Sequence, residues 1–426
     1  MTAVSAPSPA DLRKPPARRA AVGALVLLTG MNLLNYLDRF VVAPLATSLQ
    51  RDMSLTDTQL GLLPSVFLVV YMLTAPLFGS WGDRGRRAYP IALGVGVWSV
   101  ATLLSGFARN YSELLATRAL VGVGEAALVA VAPALLADCF APAARGRVYA
   151  IFNMAIPVGS ALGFVAGGMI GQHLGWRAAF FIAGGPGLLL ALAALRLPDP
   201  PRGVQDSAQP DSVTIAPATP GMWLRYSALL HNLPFMTIVL GYAAYTFALG
   251  GLAFWMPAFL ERVRGFTQGQ AGTQFGEIVV LTGFFGTFIG GWVADYALRH
   301  SRHAYLWLSG AVTVLAAPLA LAALAAPQRE LYFPALVLAQ LLLFMSTGPI
   351  NAALMSSVTP WQRATAGGLC MFIIHLLGDV PSPTLIGFLS HHGSLGRAVL
   401  VVPIAILVGG VVWLAAAKVH ERAAPA

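Results

Sequence analysis

Charge is scarce in this chain: only 10% of its 426 residues are Asp, Glu, Lys or Arg, against about 25% in an ordinary soluble domain. That shortage excludes a globular protein with a fully solvated surface. Cysteine is scarcer still. Cys139 and Cys370 are the only two, far apart and without a CxxC partner, so neither a disulfide framework nor a metal site follows. No GxxxxGK[ST] run occurs, which argues against ATP-driven pumping. HExxH and a nucleophile elbow are missing too, and His375 with Asp379 has no nucleophile beside it, so no catalytic residue is assigned and an enzyme is the weakest class. The glycine-rich stretches GVGEA and AIPVGSALGFVAGG (155–168) have no strand before them, as a dinucleotide loop requires. They suit close packing and bending of helices.

What the chain does contain is apolar surface, 57% of its residues. Twelve apolar runs recur along it, at 21–47, 58–82, 88–107, 112–137, 147–171, 177–197, 233–260, 272–296, 303–325, 331–357, 364–389 and 395–417. Each is long enough to cross a hydrocarbon layer of about 30 Å. The pattern predicts an all-α integral membrane protein. Residues 1–20, rich in Ala, Pro and Arg, have the composition of a disordered tail, and the run after them lacks a small-residue cleavage site, so it reads as a retained first helix.

The net charge of +9 is explained by topology rather than by a nucleic-acid partner. With the N-terminus inside, inner segments hold Arg13, Lys14, Arg18, Arg19, Arg84, Arg86, Arg87, Arg145, Arg147, Arg196, Arg202, Arg225, Arg299, Arg302, Arg363, Lys418 and Arg422, and outer loops only Arg51, Arg109, Arg177, Arg262, Arg264, Arg329 and Arg397. The positive-inside rule then puts both termini, including 418–426, and the linker 198–232 in the cytoplasm. That linker opens PDPPRG and continues PDSVTIAPATPG, dividing the helices six and six, 21–197 and 233–417. A repeat supports the division. GSWGD (79–83) returns as GGWVAD (290–295), with the aspartates 212 residues apart (295 − 83). Duplicated six-helix halves with a site at mid-membrane are the build of many secondary transporters.

Inside the apolar runs stand Asp38, Arg39, Arg118, Glu125, Glu277 and Asp379. A charge at the bilayer centre costs about 2.5–3.5 kcal/mol even on the lenient scale, so such residues mark function by default. Counting 1.5 Å per residue places Asp38 about 25 Å from the inner end of its helix and Arg118 about 9 Å below the outer end of its own, both in the outer third, with Glu125 near the midplane. An Asp38–Arg118 ion pair that opens and closes is expected, Asp38 or Glu125 taking up a proton when it opens, because burial disfavours a charged carboxyl and a nearby arginine favours it. The alternative is a fixed bridge that pins two helices. Arg39 points about 100° away from Asp38, toward a neighbouring helix, lipid head groups or, with Tyr71, the cavity.

In the seventh run, Thr246, Phe254 and Trp255 are expected to offer the second half's cavity face, with Gly250 and Gly251 permitting a bend; packing or lipid contact is the alternative for each aromatic. In HLLGDVPSP (375–383) His375 and Asp379 are four apart and share a face, either titrating in a wet cavity or capping backbone broken by Pro381 and Pro383. Glu277 falls at the cavity mouth. GSWGDRGRR (79–87) supplies Asp83, Arg84, Arg86 and Arg87 as a latch on the anionic inner surface, or simply a positive stop. With Arg145 and the repeated Asp295 it resembles the loop signature of the major facilitator superfamily, one residue shorter than G-x-x-x-D-R-x-G-R-R.

NYLDR, RALVGVGEA, AIPVGS, TFALGGLAFWMP and HLLGDVPSPTLIG together resemble the Spinster family of that superfamily, whose members typically show N-Y-M-D-R, R-x-L-V-G-x-G-E-A and H-x-L-G-D-x-x-S-P-Y-L-x-G. The resemblance covers essentially all twelve helices. It implies alternating-access transport of lysophospholipids or sphingosine 1-phosphate, with Asp38, Arg118 and Glu125 in the coupling network and no cofactor beyond a proton gradient. Departures fall at Pro381, Thr384 and Glu277. Few internal charges, many aromatics and an arginine able to meet a phosphate agree with an amphiphile. The expected protein is a monomer in a bacterial inner membrane, with protons, membrane lipids and an amphiphile as partners. The rivals are a broad amphiphile or drug antiporter of the same fold and a lipid sensor that binds without moving its ligand.

Overall fold

The computed structural model describes residues 17–205, 222–301, 303–359 and 362–423. Twelve helices among them are long and apolar enough to cross a membrane: Arg18–Met53, Asp57–Arg84, Ala88–Phe107, Tyr111–Cys139, Pro142–Leu174, Trp176–Ala194, Leu233–Arg262, Gln268–Ala297, Ala304–Ala325, Arg329–Ser356, Thr365–His391 and Leu395–Lys418. They are called spans one to twelve below. Large apolar side chains stay exposed along them, Leu73, Leu77, Leu189 and Leu192 among others. Such surface is stable only against hydrocarbon, and the chain is an integral membrane protein.

The sequence itself sets the ends. Asn110 accepts a hydrogen bond from the Glu113 N–H and Asn232 from that of Phe235, and Thr267 with Gln270 forms a capping box. Each such cap contributes about 1 kcal/mol. Three local features depart from the apolar-run pattern. Span one runs on to Met53 rather than 47, through a 3₁₀ turn at Ala43–Leu45, where Pro44 removes an N–H from the helical ladder. The linker carries a short helix, Met222–Leu230, that its proline-rich composition concealed. Span eleven contains a π-turn, His375–Asp379, in which the Val380 N–H reaches the His375 carbonyl at 3.1 Å; the helix restarts at Pro381, which needs no donor there. The tail expected at 1–20 lies outside the described residues up to 16, and the linker does so over 206–221.

The chain forms two compact units that cut across the apolar runs. The first takes the start of span one as far as Arg39, Val69–Gly163 and the chain from Arg177 into the linker. The second takes Phe40–Leu68, Phe164–Trp176 and everything after the linker.

In the first unit, spans three and four approach at Gly94 and Gly124: a Cβ on Gly94 would come 2.4 Å from the Ala127 Cβ, and one on Gly124 would come 2.5 Å from the Gly94 carbonyl oxygen. That approach sets Glu125 deep among packed helices. In the second unit, the start of span two lies against spans seven and eleven. The Asp57 carboxylate accepts from Gln50 Nε2 (2.8 Å), Arg262 Nη1 (2.7 Å) and Ser390 Oγ (2.5 Å). Ser65 Oγ meets the Val380 carbonyl and Thr384 Oγ1, and Thr384 donates to the Gly61 carbonyl. A side chain at Gly61 would strike the Pro383 backbone. Beside this, Gln268 donates to the Pro44 carbonyl at 2.9 Å and accepts from Ser48 Oγ at 3.0 Å. All of these contacts lie at one end of the spans.

Candidate functional site

The first unit buries a cluster of ionisable and amide side chains on spans one, three and four. Asn35, Asp38, Arg118 and Glu125 are each at most 3% exposed. Arg39 reaches Glu125 Oε2 with Nη2 at 2.9 Å and Nε at 3.1 Å. Its guanidinium lies over the rings of Tyr36 (4.9 Å) and Tyr71 (5.2 Å), so span one and span two together wrap the cation in aromatic faces. Asp38 turns to span three, where Thr102 Oγ1 donates to Oδ2 at 3.4 Å. Arg118 donates from Nη2 to Ser105 Oγ at 2.8 Å and stacks over Phe180 at 5.1 Å.

The Asp38–Arg118 pair, expected to open and close, is open here. Asp38 and Arg118 are not in ion-pair contact, and the pair that forms is Arg39–Glu125. The cause is angular. Neighbours on a helix diverge by about 100°, and the bearing that leads Arg39 away from Asp38 leads it onto Glu125 of span four. Arg118 stands two turns along the same helix, about 10 Å away by helical rise, and finds a hydroxyl instead.

The cluster is incompletely satisfied. Asp38 Oδ1, Glu125 Oε1, Arg118 Nε and both amide atoms of Asn35 are buried without a hydrogen-bond partner among the described residues. Buried polar groups are ordinarily paired, and each orphan costs about 1–3 kcal/mol. Such groups mark a place where water, a proton or a ligand completes the chemistry. Asn35, Thr102 and Ser105 belong to this cluster and were not singled out from the sequence; Asn35, three residues before Asp38 in NYLD, was the available signal.

Residues 28–383 match the family model of the Major Facilitator Superfamily. The chain is 36% identical over 386 residues to mouse protein spinster homolog 1, covering 86% of this chain and 72% of that protein. The chain belongs to the Spinster family of the major facilitator superfamily. It is a secondary transporter, not an enzyme. Human protein spinster homolog 1 is also 36% identical, over 397 residues covering 88% of this chain and 74% of that one. In fold, the Spinster chain resembles a bacterial homolog of the human lysosomal transporter Spinster, crystallised inward-facing and unoccupied, with a TM-score of 0.86 at 24% identity over 96% of this chain and 100% of that one.

The remaining residues singled out in this Spinster chain fall into two groups. In the second unit, His375 Nδ1 lies 2.8 Å from Asp379 Oδ1 within the π-turn, and Asp379 packs beside Gly250. Thr246 Oγ1 donates to its own helix at the Tyr242 carbonyl. Phe254 and Trp255 are buried, edge to face at 5.2 Å, with Trp255 Nε1 donating to the Pro383 carbonyl at 2.8 Å. Trp255 packs against span eleven, where Gly250 and Gly251 let the two helices close. Glu277 is exposed on span eight.

At the loop signature, Arg87 is the organising residue. It donates to Asp138 Oδ2 (2.5 Å), Asp199 Oδ1 (2.7 Å) and the Pro200 carbonyl (2.6 Å). Burial alone would lower its pKa; hydrogen bonds to Asp138 and Asp199 and their charges outweigh that and raise it. Arg202 caps the end of span two by donating to the Gly82 and Gly85 carbonyls, both at 2.7 Å. Arg86 donates to the Leu195 carbonyl, Arg145 to those of Ala137 and Phe140, and Asp295 accepts from Tyr305 Oη. Asp83 and Arg84 are exposed, and Asp83 has no hydrogen-bond partner among the described residues. Asp199 and Arg202 were missed as site residues. Their signal was PDPPRG, a carboxylate and an arginine held between prolines directly after an apolar run.

Proposed function

We propose that this chain moves a single-chain amphiphile with a phosphate-bearing headgroup, a lysophospholipid or sphingoid phosphate, by alternating access coupled to protons. It works as a monomer of two six-helix halves, 21–197 and 233–417, in a bacterial inner membrane with both termini cytoplasmic. The observation that carries the proposal is the buried cluster of Asp38, Glu125, Arg39 and Arg118, with one oxygen of each carboxylate unpartnered among the described residues. A structural ion-pair network would be driven toward full pairing, since a half-satisfied buried charge is worse than an apolar core. A transport network needs the opposite: a carboxylate that can exchange its charge for a proton, and a cation that can exchange its partner for a substrate anion. Asp38, held by one long hydrogen bond, is suited to the first task. Arg118, bonded to a hydroxyl, is suited to the second, and a guanidinium matches phosphate in geometry.

In the proposed cycle, a phosphate arriving at Arg118 or Arg39 draws positive charge away from the carboxylates, which then take up protons. Release on the far side reverses both steps. The test is uptake of labelled lysophospholipid into proteoliposomes with and without an inward proton gradient. Wild-type protein is expected to show gradient-driven accumulation and Asp38→Asn to lose it. Accumulation in Asp38→Asn that still follows the gradient would remove Asp38 from the coupling, and binding without uptake in both proteins would replace a transporter of these lipids by a sensor. Accumulation of unrelated drugs driven by an outward rather than an inward proton gradient would favour the broad antiporter.

A further inference from the structure

Span eight presents an unusual exposed face. Glu277, Leu281, Phe284, Phe288 and Trp292 are all exposed, and on an ideal helix they fall within an arc of about 80°. The opposite face is glycine: Gly286 and Gly290 lie against the backbone of span ten at Leu341 and Met345. The stripe is thus turned away from the helices of its own unit. Exposed apolar stripes on a membrane helix ordinarily meet lipid. This one begins with a carboxylate. Span eight has 30 residues, about 45 Å of helix, so centring it on a hydrocarbon layer of about 30 Å leaves Glu277, about 14 Å from the start, some 6 Å inside the apolar zone. A carboxylate directed at hydrocarbon is strongly disfavoured, and Glu277 has no hydrogen-bond or ion-pair partner among the described residues. The face it shares with three aromatic rings is therefore wet at one end and apolar along the rest, the profile of an amphiphile lying along a helix.

We infer that the Glu277 face of span eight is a specificity surface for an amphiphile whose headgroup carries an ammonium, the carboxylate receiving the cation and Leu281, Phe284, Phe288 and Trp292 receiving the chain. The inference rests on the proposed transport of a single-chain amphiphile and names its headgroup chemistry. Charge sign selects the occupant, since a carboxylate with no cation beside it attracts an ammonium and repels an anionic headgroup.

The probes are palmitoyl lysophosphatidylethanolamine and palmitoyl lysophosphatidylglycerol, which share tail and phosphodiester and differ in the ammonium. Uptake of each into proteoliposomes is measured for the full chain and for Glu277→Gln, a near-isosteric change, with folding checked by size exclusion and thermal unfolding. Wild type is expected to prefer the ethanolamine lipid about tenfold, the equivalent of about 1.4 kcal/mol, and Glu277→Gln to bring that ratio near unity. Phe288→Ala with Trp292→Ala is expected to weaken uptake of both lipids while keeping the ratio. Uptake of both lipids by wild type with no preference, or a preference that Glu277→Gln leaves intact, would overturn the inference and leave lysolipid transport standing. Uptake of neither would overturn both.

Discussion

Arg39 and Glu125 show how much a single buried charge controls. Removing one member strands the other in a medium that cannot solvate it, at a cost of about 3–5 kcal/mol, whereas removing both can be nearly neutral. Arg39→Met is therefore expected to lower unfolding stability in detergent by about 3 kcal/mol or more, and Arg39→Met with Glu125→Gln to recover most of it. A double variant no more stable than Arg39→Met would mean that the guanidinium acts through Tyr36 and Tyr71 rather than through the carboxylate. The presence of these charges was legible in the sequence because they interrupt apolar runs. Their partners were not, because a bearing on one helix says nothing about which helix stands there. Depth counting brought Asp38 and Arg118 to one level and so suggested a pair, but two side chains at one level can face different neighbours, as these do toward Thr102 and Ser105.

At the scale of elements, the start of span two is joined to spans seven and eleven by a narrow set of contacts: Asp57 with Arg262 and Ser390, Gly61 under Pro383, and Ser65 with Thr384. Glycine is required at 61 because any Cβ would meet the Pro383 carbonyl. Gly61→Leu should hold this end open. A cysteine at Ser65, buried within the same set of contacts, is then expected to react with a maleimide at least about tenfold faster, the consequence of losing about 1.4 kcal/mol of closing energy. Unchanged labelling would show that the contacts follow closure rather than hold it. Span bounds were legible to within a few residues, since apolar runs stop where Asn110, Asn232 and Thr267 cap the next helix. The π-turn at His375–Asp379 and the helix Met222–Leu230 were not, because a one-residue surplus leaves no compositional trace and a nine-residue helix is too short to announce itself beside a proline-rich tract.

For the whole molecule, the twelve spans among the described residues and the arginine bias underlie the proposal that both ends face the cytoplasm. Fluorescent-protein fusions at either end should therefore both fluoresce, and periplasmic reporters fused at either end should both stay silent; opposite results at the two ends would remove a span from the count. The helices that carry GSWGD and GGWVAD, Asp57–Arg84 and Gln268–Ala297, have starts 211 residues apart (268 − 57) and ends 213 apart (297 − 84). What duplication could not convey is that spans one, two and five each contribute to two compact units, because internal symmetry records how halves arose and not which ends they share. Cys139 and Cys370 are both free and buried, so the molecule is chemically quiet toward thiol reagents. An introduced cysteine answers for its own position alone, and two of them carrying spin labels become a ruler between chosen helix ends with both native cysteines left in place.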